Sequence, residues 1–139
     1  MPSEHRLRRR VLFYETDMAG IVHFSWYFRY MEEAEHALWR EAGLTIAKTG
    51  EETGLPRVAA SCEFHAPLRF EDEFEVWIRV AAITRRTIRY TCVITRGETK
   101  IATGGTTIAF VSTRPDGAMK SVDLPPEVVA RLSVSPNAV

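Results

Sequence analysis

Asp17 sits in the run Tyr14-Glu15-Thr16-Asp17-Met18-Ala19-Gly20-Ile21-Val22-His23-Phe24-Ser25-Trp26-Tyr27, between a strand-like stretch and the start of a helical one. A carboxylate in a tight loop can attack a carbonyl as a nucleophile or draw a proton from water as a base. The helix that follows has unpaired N–H groups and a partial positive charge at its N-terminus, which stabilise a developing oxyanion. Together they suffice to hydrolyse an activated acyl group without a serine. Judged by residue type alone, the same aspartate serves equally as a turn residue or a helix N-cap.

Other residue groups suggest other chemistry. Glu33-x-x-His36 has the spacing of a di-iron ligand pair, but such a site needs a second Glu-x-x-His on another helix. The chain has no second pair, so no metal site is expected. Glu32 and His36, at i and i+4, read as a surface pair. Arg85-Arg86, with Arg89 nearby, forms a basic turn that could hold phosphates through paired guanidinium hydrogen bonds or be plainly solvated. His5 and His65 carry no motif. A phosphate-binding glycine loop, a zinc ligand set and a G-x-S-x-G elbow are all missing from the sequence.

The elements that must position Asp17 follow from periodicity. Residues 6–14 read as a first strand with a charged outer face. From Ser25 to Ala42, Tyr27, Tyr30, Met31, Ala34, Leu38 and Ala42 recur at spacings of three and four, the stripe of an amphipathic helix. Ser25 is the expected N-cap and Gly43 the expected C′ residue. After a glycine-punctuated piece at 45–55 the period changes to two. Val58, Ala60, Cys62, Phe64 and Ala66 share one strand face, and further strands follow at 74–82, 88–94 and 101–111. Short polar turns at 71–72, 85–86 and 96–98 suggest an antiparallel meander. Gly104-Gly105 inside the last strand points to a bulge or a close backbone approach. The segment from Pro115 reads as turns with a helical stretch at 126–132.

One helix and one antiparallel sheet must bury their apolar sides on each other. A single helix covers five strands only if the sheet curls around it, and the open edge left over invites a partner. The expectation is an α+β domain spanning 1–139, with its core at about 6–112 and a C-terminal tail at 113–139.

Composition limits the function classes. The 139 residues are 45% hydrophobic and 26% charged, with 18 basic residues against 18 acidic ones. That balance argues against a nucleic-acid binder, which declares itself by a basic excess. No run approaches the roughly 20 apolar residues that cross a bilayer, so no membrane insertion is expected. Cys62 and Cys92 form no C-x-x-C pair and lie in apolar strand patterns, which fits reduced thiols. With no apolar signal core at the N-terminus, a cytoplasmic location is expected.

The run Asp17-Met18-Ala19-Gly20-Ile21-Val22, followed by Tyr27 and by Tyr30-Met31-Glu32-Glu33-Ala34, resembles the signature of the 4-hydroxybenzoyl-CoA thioesterase family. The stretch Phe64-His65-Ala66-Pro67-Leu68-Arg69-Phe70-Glu71-Asp72-Glu73-Phe74 resembles that family's connection between its second and third strands. The resemblance covers residues 6–112 and implies the hotdog fold, an antiparallel sheet wrapped around one central helix. It implies that Asp17 is the catalytic carboxylate, as nucleophile or base, and that the backbone N–H of Phe24 is the oxyanion donor. Gly20 would let the loop turn, and Arg85 and Arg86 would hold coenzyme A phosphates. It further implies an acyl-CoA or acyl-carrier thioester substrate, no cofactor beyond the coenzyme A of the substrate, and a homodimer or homotetramer with sites at the interface.

The pattern departs from its Tol–Pal-associated relatives, which usually carry histidine where this chain has Phe24. Here the histidine is His23, one residue earlier, where it could contact substrate or Asp17 or simply cap the start of the helix. Phe24 leans towards an aryl acyl group. Another hotdog branch uses a helix glutamate, which makes Glu32, Glu33 and Glu35 the fallback carboxylates. A hotdog hydratase or dehydratase would need a His-Phe-Pro type run, and here His23-Phe24 is followed by Ser25-Trp26. A non-catalytic acyl-CoA-binding module would bind ligand whether or not Asp17 were intact.

Overall fold

The computed structural model describes residues 1–46 and 53–137. In chain order the elements are β1 (Glu4–Arg10), a 3₁₀ turn (Phe13–Glu15), α1 (Trp26–Glu41), β2 (Thr53–Gly54), β3 (Arg57–Phe64), β4 (Glu73–Ile83), β5 (Thr87–Arg96), β6 (Thr99–Ala109), β7 (Val111–Thr113), β8 (Met119–Ser121) and α2 (Pro126–Arg131). Part of the glycine-punctuated piece expected at 45–55 lies outside the described residues.

The stripe on α1 behaves as its spacing requires. Tyr27, Tyr30, Met31, Ala34 and Leu38 are buried, while Arg29, Glu32, Glu33 and Arg40 face solvent. Gly43 ends the helix at φ +75°, a conformation glycine adopts without a Cβ penalty. Its N–H donates to the Arg40 carbonyl at 3.0 Å, and Leu44 N–H donates to that of Trp39 at 2.8 Å. Ser25 holds the N-cap position, but with a helical backbone and no side-chain cap bond. Its hydroxyl is drawn to His23 instead.

Five antiparallel strands form the main sheet in the order β1-β4-β5-β6-β3. Helix α1 packs on β4 and on both edge strands, β1 and β3, so the sheet curls around it. The inner faces of β4, β5 and β6 supply Val76, Ile78, Val80, Ile88, Tyr90, Cys92, Ile94, Ile101 and Ile108, all buried against the helix. Only β4, β5 and β6 form a meander. The expected sequential order fails at β3, which crosses to the far edge beside β6.

Two strand expectations also change. The first strand spans Glu4–Arg10 rather than 6–14, because Val11 N–H turns to the Asp72 carbonyl and Glu15 N–H to that of Leu12. The face expected to bury Val58, Ala60 and Phe64 is open: Val58 is 59% exposed and Phe64 50% exposed. As an edge strand, β3 has a ladder partner on one side only, so its alternating pattern marks a face that lacks cover within one subunit.

Gly104 and Gly105 mark a close approach, as expected. A Cβ on Gly104 would collide with the Ser61 carbonyl and crowd Met31, and one on Gly105 would collide with the Tyr90 carbonyl. Beyond residue 112 the chain is more than a tail. Strands β2, β7 and β8 make a second small sheet, and Val128 and Leu132 join the core. Burial pushes the Cys92 thiol up to about 12, and burial followed by the nearby Glu63 charge pushes Cys62 up to about 11. Both thiols are therefore protonated at neutral pH. No described helix is long and apolar enough to cross a membrane.

Candidate active site

The 3₁₀ turn delivers the chain into a tight loop closed at both ends. Thr16 and Val22 form a bridge, Asp17 N–H donates to the Ile21 carbonyl at 2.9 Å, and Gly20 N–H donates to the Asp17 carbonyl at 2.9 Å. Gly20 takes φ +80°, so a side chain there would strain the turn. Asp17 is exposed at the loop surface, and its Oδ1 accepts Ala19 N–H at 2.9 Å. Among the described residues no side-chain cation pairs with it.

The other side of the loop leads into α1. His23 N–H donates to the Glu15 carbonyl at 3.0 Å, and Val22 N–H to that of Leu68 at 2.8 Å. Trp26 N–H and Tyr27 N–H turn back to the carbonyls of His23 and Phe24. Phe24 N–H, between these bonded groups, has no acceptor among the described residues. A free amide at a helix N-terminus and, on the same loop, an exposed carboxylate are groups that addition to a carbonyl can use. His23 Nδ1 lies 2.8 Å from Ser25 Oγ and accepts Ser25 N–H at 3.3 Å. The structure thus joins His23 to the start of the helix and gives it no bond to Asp17.

Beneath the loop lies a charged cluster that the sequence reading did not identify. The Glu15 side chain is fully buried. Its Oε1 accepts Arg9 Nη1 at 2.7 Å, Leu12 N–H at 2.8 Å and the Tyr30 hydroxyl at 3.0 Å, while Oε2 lies 2.6 Å from Arg9 Nη2. Arg9 Nε reaches Glu33 Oε2 at 2.9 Å. The signal was in the alternation of β1: Arg6, Arg8 and Arg10 point outward, which turns Arg9 to the inner face. An arginine on a core-facing position needs a carboxylate.

Burial alone would raise the Glu15 pKa, but the bonds from Arg9, Leu12 and Tyr30 outweigh it and hold the group below its ordinary 4.5. Glu4 is also lowered, chiefly by the Ser135 hydroxyl. A carboxylate with a depressed folded pKa stabilises the fold above its unfolded value and loses that contribution as pH falls through the folded one. The melting temperature is therefore expected to drop with acidification below about 4.5. Melts of native protein and Glu15→Gln between neutral and acid pH check this, with a shallower acid slope expected in the variant.

The remaining candidates are dispersed. Glu35 is buried and paired through both carboxylate oxygens with Arg57, whose Nη2 also lies 3.3 Å from Glu32. Glu32 thus pairs with Arg57 across the fold, instead of with His36. Arg85 and Arg86 are exposed and both lie against Asp123, at 3.5 and 3.0 Å. They occupy the β4–β5 turn, whereas the Asp17 loop is fastened through Val22 N–H to Leu68, ahead of the start of β4. The length of β4, about 35 Å at strand rise, separates the two within one subunit. Among the described residues no group of three or more His, Cys, Asp and Glu side chains converges as a metal site.

Large apolar side chains crowd the loop without being covered. Phe13 is 73% exposed, Tyr14 66%, Phe24 63% and Phe70 48%, and Met18 is wholly exposed. Phe13 meets Phe70 edge to face at 5.6 Å, and Tyr14 meets Trp26 at 5.5 Å. A contiguous exposed patch of this kind marks a binding or association surface.

Comparison with known proteins follows the same lines. Residues 11–132 match the family described as the thioesterase-like superfamily. A protein of Aquifex aeolicus (strain VF5), provisionally named an esterase, is 37% identical over 124 residues, 88% of this chain and 92% of its own. The structure of a gentisyl-coenzyme A thioesterase superposes with a TM-score of 0.81 at 25% identity, covering 90% of this chain and 99% of its own. A 1,4-dihydroxy-2-naphthoyl-CoA thioesterase from Synechocystis shares the fold, with a TM-score of 0.84 at 22% identity over 92% of this chain and 94% of its own.

Proposed function

The chain belongs to the thioesterase-like superfamily, and from that membership we propose that it is a cytoplasmic acyl-CoA thioesterase whose chemistry rests on Asp17 and the Phe24 amide. The observation that carries the proposal is the Phe24 N–H at the start of α1, on the same loop as the Asp17 carboxylate, neither of which has a side-chain or main-chain partner of opposite kind among the described residues beyond the Ala19 N–H that Asp17 accepts. The thioester carbonyl accepts the Phe24 N–H, so negative charge gathers where the helix terminus favours it. Asp17 then acts in one of two ways. As a base it takes a proton from water, whose oxygen adds to the carbonyl, and the tetrahedral intermediate expels coenzyme A as the thiolate. As a nucleophile it forms a mixed anhydride, releases the thiolate, and is restored when water opens the anhydride. Both routes give a carboxylic acid and free thiol, and neither calls for a cofactor.

The substrate reading is an aryl acyl group, ahead of short or medium aliphatic chains. Phe13, Tyr14, Phe24 and Phe70 offer flat faces beside the carboxylate, and aromatic pairing adds about 0.5–1.5 kcal/mol beyond area burial. Association of two subunits is part of the proposal. A twofold axis at the open edge of β3 would pair it antiparallel with its copy. The Arg57 end of β3 lies level with the start of β5, and Phe64 lies at the loop end beside Tyr27. Such pairing brings the Arg85-Arg86 turn of one subunit towards the Asp17 loop of the other, where guanidinium groups suit coenzyme A phosphates.

The test is thiol release from a panel of benzoyl-, hydroxybenzoyl-, short- and medium-chain acyl-CoAs, alongside one acyl-carrier thioester. Turnover highest with the aryl-CoAs is the expected result. Release only from the carrier substrate would overturn the coenzyme A assignment. Binding without release from any member would replace the enzyme with an acyl-CoA-binding module.

A further inference from the structure

We propose that Glu15 is the positioning residue of the site, fixing the distance between Asp17 and the Phe24 amide through a buried charge cluster. The inference rests on the thioesterase reading above and assigns a role to a residue that does not itself touch substrate. Glu15 lies two residues before Asp17, and its main-chain carbonyl holds His23 N–H, the amide next to that of Phe24. One residue therefore ties both working groups: the carboxylate through the chain, the oxyanion donor through a hydrogen bond. The Glu15 side chain is in turn locked by three elements. Arg9 comes from β1, Leu12 N–H from the turn, and the Tyr30 hydroxyl from α1.

Arg9 is itself restrained by Glu33 and lies over the Tyr30 ring, 4.7 Å from its centroid. Titratable and charged groups facing Glu15 are thus Arg9 from the sheet and Tyr30 from the helix, with Glu33 behind Arg9. The loop's own bonds close its turn, and its His23 end is fastened back to the Glu15 carbonyl. Holding reacting groups in register lowers the barrier without changing how the rest of the substrate binds. Loss of Glu15 should therefore appear in kcat and not in KM.

The experiment compares native protein, Glu15→Gln, Tyr30→Phe and Asp17→Asn by steady-state thiol release and by backbone amide hydrogen exchange. Glutamine keeps the size of Glu15 and its acceptor for Leu12 and Tyr30, but it turns a donor towards Arg9. For Glu15→Gln, kcat is expected to fall about 10- to 100-fold with KM changed by less than about threefold. Exchange at Asp17, Val22 and His23 should quicken while the central amides of β5 stay protected. Tyr30→Phe removes one of the locking bonds and should lie between native and Glu15→Gln in both readouts. Unchanged kcat and unchanged loop exchange in Glu15→Gln would overturn the proposal. So would loosening of the loop and β5 together, which would make the role one of global stability. Asp17→Asn separates the two readings: full activity in that variant would remove Asp17 from the mechanism, and no thiol release from native protein would sink the thioesterase reading, while exchange at His23 would still decide whether Glu15 holds the loop.

Discussion

Replacing Asp17 with asparagine is expected to lower kcat for acyl-CoA hydrolysis by about 10²- to 10⁴-fold, the range for loss of a positioned acid–base group. The fold should be untouched. Asp17 is exposed, and its one side-chain bond, from Ala19 N–H to Oδ1, is one that asparagine can keep. What disappears is the negative charge and the lone pair that attacks or deprotonates. Thermal melts and thiol release on the same preparation separate chemistry from folding. Turnover within about threefold of native would remove Asp17 from the mechanism and point to the helix glutamates. Their surroundings argue against that outcome: Glu33 is bonded to Arg9, while Glu32 and Glu35 share Arg57. A carboxylate held by a guanidinium must give up that bond before it can attack a carbonyl or take a proton.

Arg57→Met is expected to give the largest loss of stability. Glu35 is 1% exposed, and both of its oxygens are engaged by Arg57. Among the described residues no second cation pairs with it; the nearby Tyr90 hydroxyl accepts Trp39 Nε1–H at 2.8 Å. Removing one partner of a buried pair strands the other, at a cost of about 3–5 kcal/mol. For a domain of this size that corresponds to a melting-temperature drop of roughly 10–20 °C. The double variant Glu35→Gln/Arg57→Met should recover most of the loss, because no stranded charge remains. A drop of only a degree or two in the single variant would show that water reaches Glu35 and solvates it.

Much of the architecture was legible because periodicity reports burial. The stripe from Tyr27 to Ala42 gave a helix within a residue of each end, and Gly43 gave its stop. The turns at 85–86 and 96–98 gave the hairpins of β4, β5 and β6. Strand order was not legible, since nothing local to residues 57–64 states that they pair with 102–108 and not with their nearest neighbours in sequence. Alternation on β3 was read as one apolar strand face, but every residue of the strand except Cys62 is exposed and its register shifts at Val58, and the pattern cannot say whether a covering surface belongs to the same subunit. For the site, the loop from Asp17 to Phe24 was visible as a motif. Its supports were hidden because Arg9, Glu15, Glu35 and Arg57 look like ordinary charged surface residues until the fold buries the two glutamates and sets the two arginines against them. Arg9 alone betrayed itself, as a charge on the inward phase of β1.

The strand order also sets a timetable. Strands β4, β5 and β6 are joined by short turns, so their pairing closes small loops at little entropic cost. Strand β1 must instead find β4 across the stretch from Arg10 to Glu73, and β3 must reach past β4 and β5 to β6. Such distant closures are slow, and chains rich in them fold late at those places. The Asp17 loop hangs from β1 and is fastened to Leu68 in the connection between β3 and β4. In a refolding experiment, strand signal should return first and turnover should lag behind it, because the hairpins assemble before the edges from which the proposed site hangs.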